Sequence, residues 1–530
     1  MMLAVRQGRY PNLAVKLLII GLIARHFRYQ KRMTAPFGEQ FDLLVIGGGI
    51  TGCGVARDAA MRGLRVALFE ANDFASGTSG RSSRLVHGGI RYLERAQLHL
   101  VHESIRERQT LLRIAPHIVK PLAFTWPLYR GARVGRLKLS AGLLVYQLMA
   151  LGRSRRHFTL NAAETIAREP ALEGTGLTGG AVYYDACTDD ARLTVVNALS
   201  ARDNGATIAN HTRVTGLLRE NGKVTGAIVK PRYAGEAYGV RSRVIVNATG
   251  VWENGFMVDE RAQHRRGSKG VHISVPKERI GNHDALTLIS PIDGRVMFCL
   301  PAGPQTIIGT TDTWTDESPE TVHASLDDVD YLLRSANTYF PRARLTRDDV
   351  VSAWAGIRPL ARAASTNPSA VSREHSIVTD SSRVISVTGG KLTTYRSMAA
   401  EVVDLVQKSL GRNRQRAPTD STELPGADRE THIARLQRED NALSMPLVGG
   451  LPYTGAHLVY GVTVEMAQTL SDLLIRRTHL AFETRDHGSS VAPHAAGIVA
   501  PLLGWNEETT SARVREYERD VERMFAIGSV

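Results

Sequence analysis

The segment Asp42-Leu43-Leu44-Val45-Ile46-Gly47-Gly48-Gly49-Ile50-Thr51-Gly52 constrains this chain more than any other, because a short apolar run entering a glycine-rich turn has few ways to fold. The run predicts a buried strand. Val55, Ala56, Ala59, Ala60 and Met61 then predict a helix that ends at Gly63, and Arg65 to Glu70 predicts a second strand. Within this βαβ unit Gly47, Gly49 and Gly52 match G-x-G-x-x-G, with Gly48 inside the turn. The three matching glycines serve, in order, a tight turn, backbone approach to a pyrophosphate, and close helix-to-strand packing. Glu70 follows Gly52 by 18 residues, at the end of the second strand, where a carboxylate can accept hydrogen bonds from an adenosine ribose. Strand, turn, helix, strand and terminal acid together imply a dinucleotide site.

NAD and FAD share this pattern, and two later segments favour FAD. Arg243 to Gly250 is a buried strand ending in Ala248-Thr249-Gly250, as in flavoproteins whose dinucleotide domain is interrupted by substrate-domain insertions. Val384 to Lys391 is a strand running into Gly389-Gly390, with a helical stretch from Thr393 to about Leu410 behind it. The start of that helix can aim unpaired backbone donors at an anionic flavin edge.

At 530 residues the chain is too long for one core. Three scattered cysteines, Cys53, Cys187 and Cys299, make neither a disulfide scaffold nor a zinc motif, which fits a reducing compartment. No histidine spacing predicts a metal, and P-loop and Gly-x-Ser-x-Gly signals are missing, which leaves kinase and hydrolase readings without support. The net charge is +14, and residues 1–32 carry seven basic side chains and no acidic one. That leader reads as an interfacial anchor, an Arg-rich targeting segment, or sequence upstream of a start at Met33. Its apolar run from Leu13 to Ala24 is interrupted by Lys16 and is too short for a spanning helix. Export is disfavoured, because a basic stretch rather than a small-residue cleavage site follows that run.

Between the nucleotide segments lie Arg84-Leu85-Val86-His87-Gly88-Gly89-Ile90-Arg91-Tyr92-Leu93, Lys269-Gly270-Val271-His272, Gly309-Thr310-Thr311-Asp312, Gly356-Ile357-Arg358-Pro359-Leu360, and Gly389-Gly390-Lys391-Leu392-Thr393-Thr394-Tyr395-Arg396. In this order they resemble the FAD-dependent glycerol-3-phosphate dehydrogenase family, membrane-associated flavoproteins of the glycine-oxidase type, over residues 40 to about 410. The resemblance implies oxidation of sn-glycerol 3-phosphate to dihydroxyacetone phosphate, with electrons passed to a membrane quinone. It places the substrate phosphate on Arg91, Tyr92 and Lys391, with Arg373 as a further substrate contact that can equally pair with Glu374. It places His272 and Arg358 at the reactive carbon, the imidazole taking the hydroxyl proton and the guanidinium stabilising the alkoxide. Ser83, His87, Gly88, Leu392 and Thr393 join Gly47, Gly48, Gly49, Gly52, Glu70, Ala248, Gly250, Gly389 and Gly390 as its cofactor-binding positions. Taken singly, an arginine can cap a helix, a lysine can be solvated, and a histidine at a strand start can be a packing residue.

The implied fold is α/β: a Rossmann-like FAD-binding domain, an interspersed α+β substrate domain of the glycine-oxidase and D-amino-acid-oxidase kind, and a C-terminal helical cap. Its expected bounds are an extension over 1–39, the oxidoreductase region over 40–410 and the cap over 420–530. Cofactor-domain pieces fall near 40–110, 190–255 and 350–410. Strand alternation at Val271 to Val275, Val296 to Leu300 and Thr306 to Gly309 predicts an antiparallel sheet over the flavin. Apolar periodicity predicts helix around Met466 to Leu480, and a charged helix runs from Asn506 to Phe525. The cap is short of a helical segment between Arg438 and Leu451, while Ile475-Arg476-Arg477-Thr478 still resembles a cap motif. The implied location is cytoplasmic, peripheral on the inner face of the membrane, with a homodimer left open and no nucleic-acid partner. Two rivals stand beside this reading: an oxidase passing electrons to oxygen, and a non-catalytic flavin-stabilised protein binding lipid or nucleic acid through its basic charge.

Overall fold

A computed structural model describes residues 40–95, 97–150, 155–233, 235–255, 267–359 and 374–528, apart from the side chains at 91, 94, 95 and 253–255. The expected leader and Arg373 lie outside the described residues, as does the side chain of Arg91. Phe41–Ile46 sits inside a sheet ordered His375–Thr379, Val384–Gly389, Tyr238–Asn247, Phe41–Ile46, Val66–Phe69, Thr207–Ala209. The pairings in this path are parallel except that of the edge strand His375–Thr379. Parallel strands are covered on both faces, which is why Leu43, Leu44 and Val45 are uninterrupted apolar residues with no exposed surface. Leu43 and Val45 pack with residues of the helices Ile50–Met61 and Tyr395–Ser409, and Leu44 and Ile46 pack with Val214, Ala227 and Val229 of the hairpin Thr212–Glu220 and Lys223–Pro231. Because Phe41–Ile46 has Val66–Phe69 on one side and Tyr238–Asn247 on the other, the chain leaves the sheet in opposite directions there. A crevice opens at the carboxyl ends of the strands, where Gly47, Glu70 and Ala248 stand together.

A second sheet of ten strands roofs that crevice. Gly267–Pro276, Val296–Ala302 and Gln305–Gly309 contain the three expected strands, and the two pairings that join them are antiparallel. The strand Ser352–Arg358, which the sequence places in the cofactor-domain piece from 350, pairs with Gly267–Pro276 in this second sheet. An alternating pattern says that a strand has two different faces but not which sheet receives it. Val271, Ile273 and Val275 turn into a core with the helix Leu326–Tyr339, so Gly270 and His272 turn the other way, into the cleft.

The C-terminal region is helical: Arg429–Glu439, Gly455–Thr463, Ala492–Leu503 and Glu507–Phe525, the last capped by Asn506, whose Oδ1 accepts from the Thr509 amide at 2.8 Å. Between Arg438 and Leu451 the chain makes a single 3-10 turn, Asn441–Ser444. The helix expected around Met466 to Leu480 is much shorter, a π-helical segment Asp472–Arg477. Met466 has φ 61°, and Asp472 accepts from the amides of Gln468 and Thr469, so the preceding residues form a capping turn instead. Arg476 and Arg477 clamp this cap to the nucleotide domain: both donate to Asp73, at 2.8 Å and at 2.7 and 2.9 Å. His211 and Asp472 complete the cluster. Asp73, His211 and Asp472 also have the proximity of a metal triad, but the two guanidiniums already match their charge. Among the described residues no helix is long and apolar enough to cross a membrane.

Candidate active site

The crevice and its roof enclose a cleft of about 530 Å³ that runs from the glycine turn to the second sheet. Its nucleotide end is shaped by absent side chains. A Cβ on Gly52 would lie 1.9 Å from the Gly47 carbonyl oxygen, and one on Gly47 would lie 2.7 Å from that of Ala248. Helix and strands approach this closely only with glycine. Gly49 caps the helix without a side-chain hydrogen bond, and of the first-turn amides Ile50's is met by Ser79 Oγ at 2.9 Å. Glu70 accepts from the amides of Gly48 at 2.6 Å and Asn72 at 2.8 Å while also lining the cleft, and burial pushes its carboxyl up. The expected ribose acceptor is therefore also a brace for the glycine turn.

Arg81, which the sequence reading passed over, gives the sharpest test of the cofactor. It lines the cleft with its Nε buried and without a hydrogen-bond partner, and burial together with Arg523 and Arg476 lowers it to about 10. Its Nη1 donates to the Ala355 carbonyl at 3.3 Å, and a guanidinium so anchored, with its buried Nε still unpartnered beside the open end of a glycine-capped helix, is donor chemistry that fits the diphosphate of FAD. Gly250, with φ 62° and no neighbour facing its missing Cβ, and consecutive Gly389 and Gly390, each at φ 80°, leave bare backbone along the same cleft. Leu392 and Thr393 follow on a 3-10 turn that leads into Tyr395–Ser409, and Thr393 Oγ1 accepts from the His87 amide at 3.2 Å. Two segments distant in sequence are thus tied together beside the cofactor position.

At the roof, His272 and Arg358 lie on neighbouring strands, where His272 pairs with Trp354 and Ser268 with Arg358. The imidazole stacks on the Trp354 ring at 5.3 Å, and its Nε2 meets Ser83 Oγ at 2.8 Å. Its Nδ1 is buried with no partner. Burial, then the positive fields of Arg358 and Arg84, lower it to about 3, so the ring is neutral. The Arg358 guanidinium donates to Asp312 at 3.2 Å, Thr310 Oγ1 at 2.8 Å and the Thr311 carbonyl at 3.2 Å. Two more glycines make room: a Cβ on Gly309 would lie 2.3 Å from the imidazole, and one on Gly270 would lie 2.2 Å from the guanidinium.

Tyr92 and Lys391 meet at the other side of the cleft, the ammonium 3.9 Å from the ring centroid and 3.3 Å from Ser104 Oγ. Gly88 lies beneath them, its amide donating to Asp185 at 3.1 Å. The structure thus gathers Tyr92, Lys391, His272, Arg358, Ser83 and His87 around one cleft. Asp312 and Arg84 belong to quoted motifs but were given no role. Asp312 supplies the anion beside Arg358, and the Arg84 guanidinium sits 4.6 Å from the Phe482 ring centroid and 3.2 Å from His479. Their position within charged, glycine-flanked motifs was the available signal. Lys269, by contrast, faces away and pairs with Glu317 and Asp328.

Residues 42–404 match the family described as FAD dependent oxidoreductase, and residues 419–510 match the C-terminal domain of alpha-glycerophosphate oxidase. Glycerol-3-phosphate dehydrogenase 2 of Mycobacterium tuberculosis is 37% identical over 525 residues, covering 91% of this chain and 88% of that protein. The X-ray structure of the glycerol-3-phosphate dehydrogenase from Bacillus halodurans complexed with FAD matches with TM-score 0.75 and 31% identity, covering 93% of this chain and 97% of that one. A glycine oxidase from Bacillus cereus shares the fold at TM-score 0.50 and 19% identity, over 73% of this chain and 99% of its own.

Proposed function

Because this chain belongs to the FAD-dependent glycerol-3-phosphate dehydrogenases, we propose that it oxidises sn-glycerol 3-phosphate to dihydroxyacetone phosphate and delivers the electrons to a membrane quinone. The observation that carries this reading is the pairing of a neutral buried imidazole with a guanidinium on one sheet, facing a glycine-lined nucleotide cleft.

FAD supplies the hydride acceptor. Lys391 and Tyr92, with Arg91, hold the substrate phosphate; a dianion there has a cation and a phenol to meet. His272 takes the C2 hydroxyl proton on Nε2 or the partnerless Nδ1, and Arg358 stabilises the oxygen as negative charge develops. Burial is the main reason the imidazole is depressed, with the positive fields of Arg358 and Arg84 adding to it, and a phosphate dianion in the cleft opposes those two fields. Asp312 and Thr310 fix the guanidinium against drift.

A peripheral membrane site is supported by the helix Arg136–Met149. Leu137, Leu144, Val145 and Leu148 are 88%, 51%, 41% and 65% exposed on it. The sequence from Arg130 to Arg156 carries Arg130, Arg133, Arg136, Lys138, Arg153, Arg155 and Arg156 and no acidic residue. Apolar side chains outside with cations around them suit the interface of an anionic bilayer.

Anaerobic glycerol 3-phosphate is expected to bleach the purified yellow protein, and persistence of the colour overturns the reading in favour of a non-catalytic flavoprotein. The match of residues 419–510 to an oxidase domain favours a second acceptor, oxygen. Quinone or dye reduction without peroxide supports the first acceptor, and stoichiometric peroxide the second. Sedimentation with anionic vesicles at low salt is expected, and no binding there removes the membrane site.

A further inference from the structure

Beneath the phosphate end of the cleft lies a buried polar cluster that no step above uses. Arg108 on the helix Leu98–Ile114, Tyr146 on Arg136–Met149 and Asp185 on the strand Leu177–Cys187 converge, each less than 5% exposed. Asp185 Oδ1 accepts from the Tyr146 hydroxyl at 2.7 Å, from Arg108 Nη1, and from the Gly88 amide at 3.1 Å. Arg108 Nη1 also reaches the Tyr184 carbonyl at 2.9 Å. Burial and the adjacent Asp185 push the Tyr146 phenol well up, so its proton stays in place as a donor.

The contact with the turn is close on both sides. A Cβ on Gly88 would lie 2.1 Å from the Tyr146 hydroxyl and 2.7 Å from Ile105 Cγ1. Gly89, at φ 73°, then reverses the chain so tightly that its own Cβ would lie 2.3 Å from the Tyr92 ring. The Tyr92 ring carries the Lys391 ammonium on its face. One chain of contacts therefore runs from Tyr146 through Asp185 to the Gly88 amide, around the Gly89 turn to Tyr92, and on to Lys391.

We propose that Asp185, held by Arg108 and Tyr146, is a positioning residue that sets the phosphate-binding end of the cleft by fixing the Gly88–Gly89 turn. The inference rests on the reading of Tyr92 and Lys391 as the phosphate seat. A backbone amide bonded to a buried carboxylate holds the turn through a charge-assisted bond. Its geometry depends on that carboxylate keeping its own two side-chain donors. The cluster bonds to the Gly88 amide and to neither the glycine turn at Gly47–Gly52 nor His272, so its effect is expected first on the phosphate end, with flavin content as the check on the neighbouring His87–Thr393 tie.

Tyr146→Phe removes the donor to Asp185 and the hydroxyl oxygen that accepts from Arg108 Nη1 at 3.2 Å, while the Arg108–Asp185 pair itself remains; Asp185→Asn removes the charge. Steady-state kinetics with glycerol 3-phosphate, inhibition by inorganic phosphate, and flavin absorbance per protein decide the matter. For Tyr146→Phe, KM and the phosphate inhibition constant are expected to rise together by roughly five- to tenfold, as the phenol's bonds to Asp185 and Arg108 are lost. kcat stays within about twofold and flavin content is unchanged. Asp185→Asn is expected to show a larger rise of the same kind. Unchanged KM and phosphate inhibition in flavin-replete Tyr146→Phe overturn the proposal even if Asp185→Asn does not fold, as does a loss of flavin in proportion to activity. A wild-type protein without glycerol 3-phosphate turnover overturns the functional reading instead, and the positioning role falls with it.

Discussion

Gly270→Ala puts a methyl group in place of a hydrogen on a buried strand, and the structure says what that carbon meets. It would lie 2.2 Å from Arg358 Nη2, 2.5 Å from Cζ and 2.6 Å from Nη1. Ordinary contact needs about 3.4 Å or more, so the guanidinium must retreat by roughly 1 Å. It can do so, because it is the end of a flexible side chain that is 24% exposed, but it loses the hydrogen bonds to Thr310 Oγ1 and Asp312 that define its position. Alanine also suits a strand better than glycine by about 0.5–1 kcal/mol, which offsets part of the disturbance. The fold and the flavin should therefore survive while the chemistry suffers. A misplacement of about 1 Å costs on the order of 100-fold in rate, expected in kcat/KM with glycerol 3-phosphate. Flavin absorbance and the thermal midpoint should stay near wild type. Full activity in a flavin-replete Gly270→Ala protein would refute the assignment of Arg358 to the reacting carbon, and loss of flavin would show that this part of the roof serves the cofactor instead.

Gly52→Ala should lose FAD, because its Cβ would sit 1.9 Å from backbone that cannot retreat, whereas Gly142→Ala, on a helix with open space around it, should stabilise by about 0.5–1 kcal/mol; equal flavin content in the two variants contradicts this. Acid should weaken the fold through His272 and His457, lowered by burial and nearby arginines to about 3 and about 4. Since the unfolded imidazoles take up protons near 6.5, stability is complete above that value and declines as pH falls toward the folded values, by about 2 kcal/mol per histidine at about pH 5. His272→Asn should flatten the change in thermal midpoint between about pH 7 and 5, and an unaltered slope counts against the burial argument. Arg477→Ala leaves the buried Asp73 with less than its full complement of charge, at a cost of about 3 kcal/mol or more. Trypsin should then cut faster at the exposed arginines 412, 414 and 416 that lead into the cap, and wild-type resistance argues that the clamp is dispensable.

The nucleotide half of the site was legible because local rules write it in consecutive residues. A buried parallel strand must be apolar on both faces, a turn approached by backbone must be glycine, and a helix must begin where its amides are wanted. Leu43 to Gly52 satisfies all three within one short segment. The same logic found Val384–Gly389 and the turn that follows it. It failed between Met466 and Leu480, where apolar spacing suggested helix. There Asp472 recruits the preceding amides, and buried ion pairs to Asp73 decide the backbone in place of local propensity.

The substrate half depends on register and on distant partners, and a sequence shows neither. His272 and Arg358 were named, yet their placement side by side follows from Gly267–Pro276 pairing with Ser352–Arg358, a match of strands about 85 residues apart. Gly270 and Gly309 matter only because this register aims one guanidinium and one imidazole across them. Asp185 is less visible still. It stands in an ordinary strand, with nothing around it in the chain to distinguish it from a solvated acid, and its meaning comes from Arg108 and Tyr146 arriving from two other elements. A buried carboxylate that receives both a guanidinium and a phenol has its charge answered before any backbone amide reaches it. The further bond to Gly88 is therefore in excess of what burial of Asp185 requires, and its effect falls on the turn rather than on the acid.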